Sequence, residues 1–93
     1  MPTYLLEFFL PRSSIGLAGA ISAGIDSAAL DLQREGTPVR LVQALSIGDE
    51  ELFQCVVDAP SAEDAERLRR RAGLPADARP ERVDVLTLPH RRD

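Results

Sequence analysis

The chain has 93 residues, 44% of them hydrophobic and 28% charged, with a net charge of −4. A chain of this length buries only about 60–65% of the surface it exposes when unfolded, which feeds one hydrophobic core and not two. The balance is that of a globular domain rather than a disordered or fibrous chain, and the net acidity argues against a general nucleic-acid binder, which needs basic side chains to displace counterions from phosphates.

The first element is an apolar run, Thr3 to Leu10, with one carboxylate, Glu7, in its middle. Its alternation predicts a strand that ends at Pro11, which has no N–H to donate. Ser13 or Ser14 is the expected cap of a helix whose apolar stripe is Leu17, Ile21, Ile25, Ala28 and Leu32, spaced by three and four. Gly36 is placed to terminate it and Pro38 forbids continuation. Pro38 to Ile47 and Glu51 to Asp58 read as two strands of an antiparallel hairpin, joined through Gly48, Asp49 and Glu50. Ser61 with Asp64 starts a second helix with buried Ala65, Leu68 and Ala72, and Gly73-Leu74 ends it. Val83 to Leu88 is the expected last strand. The domain is expected to span residues 1–88, with 89–93 as a flexible polar tail.

Strand, helix, strand, strand, helix, strand is the α+β ferredoxin-like βαββαβ pattern, a four-stranded antiparallel sheet with both helices on one face. Period two assigns Tyr4, Leu6, Phe8 and Leu10, with Phe53, Cys55 and Val57, to the helix side, and Val42 and Ala44 fit beneath them. The opposite face carries Leu5, Glu7 and Phe9, then Leu41, Gln43 and Leu45, then Leu52, Gln54 and Val56. Glu7, Gln54 and Gln43 are expected in one row. The elements read from the sequence leave no third layer to cover so apolar a face, so the expectation is a homodimer whose open sheet faces meet, a dimeric α/β barrel, with a small apolar ligand between them.

The block Phe53 to Glu63, with Ala72-Gly73-Leu74-Pro75 and Glu7, resembles a small bacterial domain family of largely unknown function. A nickel-binding actinobacterial protein with a dimeric ferredoxin-like fold belongs to it. The resemblance covers most of the chain and implies that fold, that dimer and possible nickel binding. Leu41, Gln43 and Leu45 depart from the family pattern, which has an aromatic, a basic residue and a tyrosine there, so the implied ligand does not carry over with the fold.

Nickel favours imidazole or thiolate ligands, and the chain offers one His and one Cys. His90 lies in the tail and Cys55 on the helix side, so the residues themselves predict no metal site and no cofactor. Glu7 is the candidate for proton chemistry. In an apolar cavity its pKa would rise and fit it for general acid or base work, with Gln54 and Gln43 orienting a carbonyl, which describes a cofactor-free isomerase or cyclase. The alternative is that Glu7 pairs with Arg40 or a glutamine at the dimer interface. Cys55 reads as a buried small hydrophobe, and the arginines at 67, 69, 70 and 71 as a solvated helix face paired Glu63 to Arg67 and Glu66 to Arg70. RNA-recognition domains share this topology but stack bases on open-face aromatics within a basic motif, and here Phe9 alone is such an aromatic. No apolar run approaches the roughly 18 residues of a membrane span, and no basic segment precedes a signal-type core. The single cysteine forms no intrachain disulfide and agrees with a reducing compartment, so the expected location is cytoplasmic, with no membrane and no nucleic-acid partner.

Overall fold

The computed structural model describes residues 1–86. His90, the tail 89–93 and the last two residues of the expected fourth strand, Thr87 and Leu88, lie outside the described residues.

Strand β1 (Thr3–Phe9) alternates as its sequence dictates, with Tyr4, Leu6 and Phe8 buried and Leu5, Glu7 and Phe9 turned the other way. After Pro11 the chain makes a 3-10 turn over Arg12–Leu17 before helix α1 (Ala18–Arg34). The expected serine cap is not formed. The Ser14 N–H donates instead to the Pro11 carbonyl at 2.8 Å, and the Arg12 N–H donates to the Glu51 carboxylate at 3.0 Å, so backbone and a distant side chain take the donors a cap would serve. Ile25, Ala28, Ala29 and Leu32 are buried, whereas Leu17 is exposed and Ile21 half-buried, so the stripe engages the core through its C-terminal half.

The stretch Arg12–Arg34 is long and apolar enough to cross a membrane by length and composition, which corrects the expectation that no run reaches that size. In the fold this helix supplies core residues and carries Asp26 and Asp31.

Both helices close on glycine in the left-handed region. Gly36 has φ +96° and Gly73 φ +72°. At the first end Thr37 N–H donates to Leu32 O (2.8 Å) and Gly36 N–H to Gln33 O (3.0 Å). At the second, Leu74 N–H donates to Arg69 O (3.0 Å) and Gly73 N–H to Arg70 O (3.1 Å). These paired bonds satisfy carbonyls the helix leaves free, and a side chain at either glycine would be strained. Helix α2 (Ala62–Arg71) starts as expected, with the Ser61 hydroxyl accepting the Asp64 N–H at 3.2 Å.

Strands β2 (Arg40–Ile47) and β3 (Leu52–Asp58) form the hairpin, joined by a 3-10 turn over Gly48–Glu50 and by Glu51 in the left-handed region. Strand β4 is Glu81–Val83, so Val83 is its last residue and not its first. Val83 lies opposite Thr3, where β1 begins, and a chain running past it has no strand left to pair with.

The sheet order is β2-β3-β1-β4 with every neighbour antiparallel. Residues of both helices join the helix-side residues of β1 and β3 in one core. This is an α+β fold compatible with a ferredoxin-like arrangement. Phe8 and Phe53 stack at its centre with ring centroids 5.0 Å apart. Leu6, Phe53, Val57 and Leu68 are fully buried, each stabilising the fold by about 1.5–3 kcal/mol.

The arginines of α2 make contacts other than the expected i,i+4 pairs. Arg71 grips Glu35 at the end of α1 with two bonds of 2.7 and 2.9 Å, Arg67 reaches Asp64 (3.4 Å) and the Thr37 hydroxyl (2.9 Å), and Arg69 binds Glu66 at 2.6 Å. Arg69 also donates to the Leu74 carbonyl at 2.9 Å, which turns it toward Glu66 and away from solvent. The Arg71 hydrogen bonds hold the Glu35 carboxyl below its usual range, and Arg69 does the same for Glu66.

Candidate functional site on the open sheet face

The side of the sheet away from the helices is built in rows. Ile47, Leu52 and Phe9 form one, Leu45, Gln54 and Glu7 the next, then Gln43, Val56, Leu5 and Glu81, and finally Arg40, Asp58, Thr3 and Val83. Leu5, Glu7, Phe9, Leu45 and Gln54 thus share this face as the alternation predicts.

Three expectations on β2 are corrected. The pairing steps from Leu41 opposite Val57 to Gln43 opposite Val56, which leaves Val42 as the extra residue of a β-bulge. The bulge resets the alternation. Leu41, expected on the open face, is carried to the helix side and packs against the core, while Val42, expected beneath the helices, is exposed. Gln43 stays on the open face but stands beside Val56. The hairpin sets Ile47 opposite Leu52, and counting back from there puts Leu45 across from Gln54.

Glu7 accepts a hydrogen bond from Gln54 Nε2 at 2.8 Å. Among the described residues no cation pairs with it, because Arg40, the candidate partner, binds the Asp58 carboxylate at 2.8 Å. The Thr3 hydroxyl donates to the other Asp58 oxygen, also at 2.8 Å. Arg40 first and Thr3 second hold the Asp58 carboxyl below its usual range. This Thr3-Asp58-Arg40 cluster was not read from the sequence, because it appears only once the bulge brings Arg40 into register with Asp58.

Around the Glu7–Gln54 couple the surface is apolar. Phe9 is 64% and Leu45 44% exposed, and Leu5, Leu52 and Val56 are half-covered. Glu7 itself is exposed on the single chain, so the apolar enclosure expected around it requires a second body. Pockets among the described residues are not lined by Glu7 or Gln54, and one of about 630 Å³ lies between Pro2, Thr3, Arg82 and Val83. Another of about 640 Å³ opens between Met1, Gln33, Pro38 and Arg40, and one of about 350 Å³ between Phe8, Leu17, Ile21 and Leu74.

No protein-family model, curated protein or solved structure matches the chain.

The described residues do not fit nickel. Among the described residues no three His, Cys, Asp or Glu side chains gather to hold a metal ion. Cys55 is buried on the helix side, where loss of solvent pushes its thiol up to about 11. A thiol so placed is neither a ready ligand nor a nucleophile at neutral pH.

Proposed function

We propose that the protein is a cytoplasmic homodimer whose open sheet faces meet as a dimeric α/β barrel and enclose a small apolar ligand. The observation that carries this reading is one hydrogen-bonded polar couple, Glu7 and Gln54, set among Leu5, Phe9, Leu45 and Val56 on a face that no element among the described residues covers. Exposed apolar area of this kind marks association, and a polar pair at its centre gives a bound molecule something to orient against. The resemblance to the small ferredoxin-like bacterial family supports the same dimer.

The Gln54 bond is a glutamine pairing of the kind that competes with proton chemistry at Glu7, and a catalytic version of this reading rests on the other carboxylate oxygen. The bond fixes the Glu7 carboxylate while leaving its second oxygen without a hydrogen-bond partner among the described residues, the posture of a general acid or base in a cofactor-free isomerase or cyclase. Titration with the neutral apolar dye Nile red tests the binding claim. Saturable, blue-shifted fluorescence that Leu45→Glu abolishes is expected, and a signal unchanged by that substitution contradicts the site. Once a substrate is found, Glu7→Gln separates the two versions, since a carrier keeps its affinity and a catalyst loses turnover.

A further inference from the structure

We infer that the outer edge of β2 is a second interaction surface, on which β2 of another copy pairs antiparallel to extend the sheet to eight strands. β2 is the terminal strand on its side, and among the described residues nothing pairs beyond it. Proteins protect such edges by keeping them short or by placing charge or proline on them. The opposite edge is protected in this way, since β4 has three residues, of which Glu81 and Arg82 are charged. On β2 the protecting features, Arg40 and the bulge at Val42, sit in its first half. Gln43 to Ile47 follows as five regularly paired residues without charge or proline.

Symmetry narrows the register. A two-fold axis perpendicular to the sheet keeps both open faces on the same side, so Gln43, Leu45 and Ile47 must pair with the same three residues of the other copy. Centring the axis on Leu45 gives the longest overlap, with Gln43 opposite Ile47 and Ala44 opposite Ser46. Counted outward, this register carries Arg40 to the turn that bears Asp49 and Glu50 in the other copy, and does so at both ends. A parallel arrangement would instead set Arg40 beside Arg40 and one acidic turn beside the other. The charges therefore select a second copy in the antiparallel sense. This axis is perpendicular to the sheet whereas the axis relating two facing sheets lies along it, so the two contacts are independent and compatible in one tetramer.

The test is amide exchange on the full chain by NMR over a range of concentrations, together with sedimentation equilibrium. Amides of Gln43 to Ile47 that do not bond to β3 should exchange more slowly as concentration rises. Glu50→Arg, on an exposed turn, should weaken association about tenfold by making two attractive contacts repulsive, and adding Arg40→Glu should restore it. Arg40→Glu also loses the bond to Asp58, so recovery of association in the double variant reports the contact between copies and not stability. Exchange in this segment that is independent of concentration, or a double variant no better than Glu50→Arg, overturns the inference. A dimer by mass without slowed exchange in β2 would leave face pairing standing alone.

Discussion

Phe9→Ala separates an interface residue from a fold residue. The ring is 64% exposed on the single chain. With about 200 Å² for a phenylalanine, about 130 Å² remains to be covered, equivalent to about 3 kcal/mol per ring at about 25 cal/mol per Å². A symmetric dimer holds two such rings. If the partner covers half of each, their removal costs about 3 kcal/mol of association, a rise of more than about a hundredfold in the dissociation constant. The isolated fold loses little, because most of the ring is already in solvent, and its unfolding free energy should change by about 0.5–1 kcal/mol at most. Sedimentation equilibrium gives the first quantity and urea unfolding of dilute protein the second. A dissociation constant that moves less than about threefold, or a wild-type chain that stays at 10.1 kDa into the tens of micromolar, contradicts burial of Phe9 between two copies.

Other outcomes follow from the core and the charges. Leu6→Ala, at a fully buried position, should cost about 2–5 kcal/mol by urea unfolding, and a loss under about 1 kcal/mol would contradict the packing described. Glu35, Asp58 and Glu66 bind protons less readily folded than unfolded. Their contribution is complete above the ordinary carboxylate range and is lost as pH falls through the depressed folded values, so the urea midpoint should drop below about pH 4. A midpoint that holds or rises on acidification would contradict this. Cys55, buried with its thiol near 11, should resist iodoacetamide at neutral pH until the chain unfolds, and rapid labelling of native protein would count against its placement.

How far the sequence reaches differs from element to element. The faces of β1 and β3 were legible because each strand is regular and period two sorts its residues without further information, which also placed Glu7 beside Gln54. The ends of the helices were legible at Gly36, Ser61 and Gly73, where one residue carries the chemistry of the cap. β2 was not. Leu41-Val42-Gln43-Ala44 reads as plain alternation, and the bulge that breaks it depends on how the strand must pair at both ends, with Ile47 set by the hairpin and Arg40 drawn to Asp58. The length of β4 was equally hidden, since it is fixed by where β1 starts and not by the residues that follow Val83. At the candidate site the apolar surround of Glu7 was readable, but which residue of β2 flanks Gln54 was not, because a shift of two residues changes the row without changing the face.

In the proposed dimer the open sheet face is buried between two copies. Methyl NMR with a soluble paramagnetic agent tests it most directly, following Leu5, Leu45, Leu52 and Val56 as protein concentration rises. These methyl groups should become shielded together as the dimer forms, while those of the exposed helix residues Leu17 and Leu30 stay accessible. Open-face methyl groups that remain accessible at every concentration would contradict it.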